Sequence, residues 1–200
     1  LDPVDYENKY NVLPKKIVCI GKNLISSKTE FTKNHKIILG PALRFGSVYE
    51  KLNYKKKHIN SVLLNLNLDY QNSNLMIQNI LKTDFYNKYN GKIYIKSHPL
   101  FKSNQIFNLK NKNNIYFVKG DIYKIASLFN VAISSGATSS IHETIVAGCK
   151  ICFPFDNFTD AYSLKMTCAP LETFKVCKTI SELSDYLIKN TQKSSIKNTN

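Results

Sequence analysis

The chain has 200 residues and a mass of 22.9 kDa, enough for one domain with part of another, and its 43% hydrophobic and 21% charged content excludes a disordered polymer. No apolar run approaches the roughly 18 residues of a membrane span, and 5 scattered cysteines without disulfide-framework spacing indicate a reducing compartment. The net charge of +14 raises nucleic acid as a partner, but all but one of the 28 basic residues are dispersed lysines, Arg44 being the single arginine, so no dedicated nucleic-acid surface is expected.

Along the chain, residues 16–20 (KIVCI) and 35–39 (HKIIL) read as short strands, the second closed by Gly40-Pro41. A polar, lysine-rich stretch over 44–58 reads as a linker or surface crossover. A regular alternation follows. Strands are expected at 61–66 (SVLLNL), 92–96 (KIYIK), 114–118 (NIYFV), 131–134 (VAIS) and 151–154 (ICFP), the last strand that the pattern supports. Helical spacing of Leu75, Met76, Ile80 and Leu81 predicts a helix over 70–83, and 101–110 is an ambiguous short helix. A further helix begins after Asp121 as N-cap, and another runs over 140–147 to a stop at Gly148. The closing helix opens with a capping box from Thr179 to Glu182, and the chain after Gln192 reads as frayed.

Strands alternating with helices at this spacing predict a Rossmann-like α/β domain, a parallel sheet with helices on both faces. Its expected extent is 58–190, with 1–57 the end of a preceding lobe and linker, and 191–200 a tail. The chain starts at Leu1 rather than Met and carries no signal peptide, so it reads as a piece of a longer protein.

Ligands of such sheets bind on the rim at the strands' carboxyl ends. The rim loops are 67–69, 97–99, 119–121, 134–140 and 155–157. In 134–143 (SSGATSSIHE) small residues permit close backbone approach, and the hydroxyls of Thr138, Ser139 and Ser140 stand at a helix start, where N–H groups and dipole favour phosphate. The bland alternative is a set of caps and turn formers. Glu143 one turn later either answers the dipole or accepts from ribose hydroxyls. His98, held by Pro99 directly after a strand, either donates to a phosphate or leaving group, or satisfies a loop carbonyl. His142 starts no zinc motif, because HExxH would need His where Val146 stands. Cys149 and Cys152 match CxxC but span a helix end and a strand, so both read as buried core thiols. Neither GxGxxG nor a P-loop is present.

The ordered set KSHP, KGD, SSGATSSIHE and AGCKICFP resembles the C-terminal, donor-binding half of GT-B glycosyltransferases over roughly 15–190. The nearest likeness is to bacterial surface-polysaccharide enzymes with an HP motif and a later Ser-Ser or Ser-Thr motif: sialyl-, Kdo- and CDP-glycerol-type transferases. The resemblance implies that His98 and Pro99 contact the donor nucleotide. It gives Ser139 and Ser140, with Thr138 and the Gly136 turn, the donor's phosphate, and sets Glu143 at the family's acidic position. The segment 40–45, carrying Arg44, resembles the join between the two lobes. The sialyltransferase general-base motif is absent, and E-x7-E fails because position 151 is Ile, so no catalytic base is assigned.

The implied activity is transfer of a sugar or polyol phosphate from a nucleotide-activated donor, CMP- or CDP-linked, to a carbohydrate or lipid-linked acceptor. It would proceed without metal or resident cofactor, in the cytoplasm, with peripheral association at the membrane's inner face as one setting. The rivals are a nucleotide-sugar 2-epimerase and a non-catalytic nucleotide- or sugar-binding module. The fragment by itself is expected to bind nucleotide weakly and to catalyse nothing.

Overall fold

The structure, a computed structural model, describes residues 9–10, 12, 15–19, 36–41, 58–66, 68–100, 109, 112–134, 140–154 and 174–191. The predicted helix at 101–110 apart from Leu109, the rim loops 135–139 and 155–157, the linker over 44–57 and the tail beyond Thr191 lie outside the described residues. The chain divides into two compact units, residues 1–47 and 48–200.

In the first unit β1 (Lys16–Cys19) pairs in parallel with β2 (Lys36–Leu39), in register from Lys16 opposite Lys36 to Cys19 opposite Leu39. Val18, Ile38 and Leu39 are exposed, which is unusual for parallel strands, normally covered on both faces.

The second unit is built on a six-stranded, wholly parallel sheet. Its strands are β3 (Ser61–Asn65), β4 (Lys92–Lys96), β5 (Ile115–Val118), β6 (Val131–Ser134), β7 (Lys150–Pro154) and β8 (Phe174–Cys177), in spatial order β5-β4-β3-β6-β7-β8. The chain winds outward from β3 to β5, returns to the other side of β3 at β6, and continues to β8. The direction of winding therefore reverses between β3 and β6. Central β3 is buried along its whole length, as its unbroken apolar run requires when both faces are covered.

One face carries α1 (Tyr70–Leu81), α2 (Asp84–Asn87) and α5 (Ile180–Thr191). Met76, Ile80, Phe85, Leu183 and Leu187 of these helices pack on Val62, Leu64, Ile93, Ile95 and Ile133 of the sheet. The opposite face carries α3 (Ile122–Ala126) and α4 (Ser140–Val146), where Ala126 and Ile141 meet Leu63, Ala132 and Ile151. His58 extends this second layer ahead of β3, its ring stacked on Phe129 at 4.8 Å and tilted against Tyr94 at 4.7 Å.

Three local differences from expectation have physical causes. The predicted 70–83 helix stops at Leu81 because Thr83 turns extended (φ −74°, ψ 150°) and accepts from the Tyr86 N–H at 3.4 Å, capping the short α2. β8 follows β7 where no strand was predicted; FKVC is too short for its alternation to register. Asp121 occupies the N-cap position of α3, but its carboxylate makes no cap bond and pairs with Lys124 at 3.2 Å instead. Elsewhere the signals act as expected. Gly148 ends α4 at φ 81°, and the Glu182 N–H donates to Thr179 Oγ1 at 3.1 Å. The Glu182 carboxylate reaches one residue further back than the usual box and accepts from the Lys178 N–H at 2.7 Å. Among the described residues no helix is long and apolar enough to cross a membrane.

Candidate functional site

A parallel sheet sends every strand's carboxyl end to one rim, and the crevice opens where the winding reverses. Here that point lies between β3 and β6, so the residues ending these strands form its floor. β3 ends at Asn65, whose register partners are Lys96 at the end of β4 and Ser134 at the end of β6. Side chains in register on parallel strands share a face. The row Lys96–Asn65–Ser134 therefore lies on the α3/α4 side, one step beyond the apolar row Tyr94–Leu63–Ala132. At the usual strand spacing of roughly 4.8 Å, the row spans about 10 Å.

Burial makes this row unusual. Asn65 is 4% exposed and Ser134 is 1% exposed, and a buried polar group costs stability unless it is hydrogen-bonded. Asn65 is bonded: its Nδ2 donates to Ser140 Oγ at 2.6 Å, tying β3 to the first residue of α4. Ser134 Oγ is buried without a hydrogen-bond partner among the described residues, and so is Ser97 Oγ just beyond β4. Lys96 Nζ donates to the Ser97 carbonyl at 3.2 Å, which holds its charge at the rim end of β4.

His98 stands two residues past β4 on the same rim, half-buried, followed by an exposed Pro99. Its Nδ1 accepts from the Leu100 N–H at 3.3 Å. An accepting Nδ1 puts the proton of the neutral ring on Nε2, which makes that nitrogen a donor. Glu143 and His142 are half-buried in α4, Glu143 within its first turn. α4 has 7 residues and begins at Ser140.

Of the residues singled out from sequence, His98, Pro99, Ser140 and Glu143 are described, and all four belong to this rim. Gly136, Thr138, Ser139 and Arg44 lie outside the described residues. Sequence reasoning missed Asn65 and Lys96 and gave Ser134 no role of its own. One signal was available: an amide ending an otherwise apolar strand, at the rim where ligands bind.

The CxxC pair is buried, as expected, and the geometry rules out a dithiol within it. Cys149 belongs to the core on the α3/α4 face and Cys152 to the core on the other. Cys149 Sγ donates to the carbonyls of Ala126 and Phe129 at 3.0 and 3.2 Å. The neighbour of Cys152 is Cys177, with the two sulfurs 3.4 Å apart. The bond to Cys177 and burial hold the Cys152 thiol well above the ordinary thiol range, which leaves it protonated and unreactive. Among the described residues no three His, Cys, Asp or Glu side chains gather as metal ligands.

No family model matches the sequence, and no curated protein matches it. Several solved structures are similar, two of them as follows. The UDP-GlcNAc 2-epimerase of Methanocaldococcus jannaschii, in complex with UDP-GlcNAc and UDP, is 14% identical with a TM-score of 0.50 over 80% of this chain and 49% of that one. TarM is 13% identical with a TM-score of 0.54 over 92% of this chain and 39% of its own. The chain thus spans half or less of either protein's length. At such identities the likeness is one of fold, a Rossmann-like α/β sheet of the GT-B type.

Proposed function

We propose that this chain is the nucleotide-binding part of a sugar-active GT-B enzyme, a glycosyltransferase that moves a sugar or polyol phosphate from a nucleotide-activated donor in surface-polysaccharide biosynthesis. The observation that carries the reading is the polar row Lys96–Asn65–Ser134 at the reversal of the sheet, buried at Asn65 and Ser134, hydrogen-bonded to Ser140 and including a hydroxyl with no described partner. One cation among neutral donors, in a crevice partly withdrawn from water, suits a phosphate ester.

In this reading the Ser140 hydroxyl and the His98 Nε2–H donate to the donor's phosphate and stabilise the charge that develops as the nucleotide departs. Pro99 fixes the loop that carries His98. Gly136, Thr138 and Ser139 would bring the 134–140 turn against the same phosphate, Glu143 would accept from ribose hydroxyls, and Arg44 would lie at the join between lobes. The donor would be CMP- or CDP-linked and the acceptor a carbohydrate or lipid-linked glycan, with no metal or resident cofactor, in the cytoplasm beside the membrane. Residues 1–57 would be the end of a preceding lobe, a reading supported by the exposed apolar side chains of β1 and β2. A nucleotide-sugar 2-epimerase is the second reading, favoured by the likeness to a protein of that activity.

Thermal melting of the chain with CMP, CDP, UDP and GDP tests the proposal. A ligand at a hundred times its dissociation constant adds about 2.7 kcal/mol, or roughly 5–10 °C for a chain of this size. His98→Ala and Ser140→Ala should each shrink the response. No shift with any of the four nucleotides would end the nucleotide reading.

A further inference from the structure

The rim chemistry leaves unused a pair of thiols that the sheet holds in contact: Cys152 of β7 and Cys177, the last residue of β8. Their sulfurs stand 3.4 Å apart, and neither residue is exposed. Register explains the contact. Cys152 lies opposite Lys175, and Cys177 follows two residues later, so the alternation of side chains sends both sulfurs to one face. There they share a core with Leu183 and Leu187 of α5. The chain just after Cys177 is held by the start of α5, where the Lys178 N–H donates to the Glu182 carboxylate. Cys149 belongs to the other core, and its sulfur donates to two carbonyls.

The same register sets the strain of a bond between the two sulfurs. Strands roughly 4.8 Å apart, offset by two residues, put the Cα atoms of Cys152 and Cys177 about 8 Å from each other. A relaxed disulfide needs roughly 4.4–6.8 Å, and sulfurs now at 3.4 Å must close to about 2.05 Å. A bridge therefore forms only as β8 shifts toward Cys152 by about 1 Å or more. Among the described strands β8 is an outer one, paired with β7 alone, so it can shift where β3 and β6, paired on both sides, cannot. Strain of this kind makes a disulfide easier to reduce, which suits a reversible switch rather than a permanent staple.

We propose that Cys152 and Cys177 form a redox-sensitive clip at the edge of the sheet, closed to a disulfide by hydrogen peroxide and reopened by a small thiol. Fraying of β8 brings Cys177 to the oxidant while Cys152 stays covered. The Cys177 sulfur attacks one peroxide oxygen, the O–O bond breaks, and Cys177 becomes a sulfenic acid as one water leaves. When β8 closes again, the Cys152 sulfur attacks the Cys177 sulfur. The S–S bond forms, the S–O bond breaks, and the departing hydroxide takes the Cys152 proton as a second water. Two thiols and one peroxide thus give one disulfide and two waters. The clip stands independently of the nucleotide reading.

The test adds hydrogen peroxide to the folded 200-residue chain, alkylates the remaining thiols in denaturant and maps linked peptides by mass spectrometry. The expected product is a single disulfide, Cys152–Cys177, with Cys149 alkylated. In urea the same treatment should scatter the pairings, because contact in the sheet no longer selects the partner. Excess reduced glutathione should restore both thiols in the folded chain. Cys152→Ser, checked for folding by its melting, should leave Cys177 as a sulfenic acid that dimedone traps. Should that variant fail to fold, the wild-type map decides alone. Absence of the Cys152–Cys177 peptide pair from the peroxide-treated folded chain would overturn the proposal, as would its appearance only in urea or a bridge that glutathione leaves intact.

Discussion

Gly91→Ala makes a demanding test of the packing that supports the rim. Gly91 closes the turn from α2 into β4, and its N–H donates to the Phe85 carbonyl at 2.8 Å. The glycines of positive φ among the described residues are Gly120 and Gly148, so the demand at Gly91 is for space rather than for an unusual backbone. A Cβ there would stand 2.5 Å from Phe85 Cζ and 2.6 Å from Cδ1, against roughly 3.5–4.0 Å for carbons in contact. The ring would have to retreat by about 1 Å. It is fully buried, and the Phe85 N–H is anchored to Ser184 Oγ at 3.1 Å. Forced overpacking costs about 1–3 kcal/mol, while losing a glycine from the unfolded chain returns about 0.4–1 kcal/mol. Sterics therefore win, with a net loss of about 1–2 kcal/mol and a fall in Tm of roughly 2–8 °C. Urea denaturation followed by circular dichroism measures the loss, and Phe85→Leu supplies the control. The double variant should be distinctly more stable than the sum of the two single losses predicts, because the shorter side chain vacates the space the methyl needs. Strict additivity, or a Gly91→Ala chain as stable as the wild type, would refute the argument.

Two further outcomes follow from bonds seen or missing elsewhere. Asp69 caps α1 with both carboxylate oxygens, accepting from the Asn72 N–H at 3.1 Å and from Asn72 Nδ2 at 2.6 Å. Asp69→Ala should therefore cost about 1 kcal/mol in a denaturant titration, whereas Asp121→Ala, which loses only an exposed pair with Lys124, should leave the midpoint unmoved. Stability should also fall at alkaline pH. Burial raises the Tyr186 phenol above its ordinary 10.0. The group holds its proton more tightly folded than unfolded, so its contribution is complete below that ordinary value and drains away as pH rises past it. Urea midpoints at successive pH values should decline from about pH 10 upward, and Tyr186→Phe should flatten the decline; an identical slope in that variant would dismiss Tyr186 as a cause.

What could be read from the sequence tracks the length of each signal. Runs such as SVLLNL, KIYIK and VAIS announce covered parallel strands because burial on both faces leaves little room for polar residues. β8 and α2 escaped because four residues hold too little periodicity, and because what fixes them is non-local: β8 by its pairing with β7, and α2 by the Ser184 hydroxyl that binds Phe85. The rim was legible, since parallel topology dictates which loops share it. Asn65 was not, because its meaning depends on register with two other strands and on a hydroxyl 75 residues away. Cys149 and Cys152 illustrate the opposite hazard. A spacing of three is one helical turn, but entering a strand it sends two side chains to opposite faces, and the apparent pair lies in two different cores.

On the proposed reading, the rim holds a leaving group and little else. Its hydroxyls and amide cannot take a proton at neutral pH, Lys96 is a charge partner, and His98, with Nδ1 engaged by the Leu100 N–H, presents Nε2 as a donor. Glu143, in the first turn of α4, would on the same reading accept from ribose hydroxyls rather than serve the acceptor. Such a set can make a departing phosphate stable without making an acceptor hydroxyl nucleophilic, and transferases need both. Binding and turnover would then separate: nucleotide affinity should belong to the described rim residues, while acceptor activation would need a group beyond them.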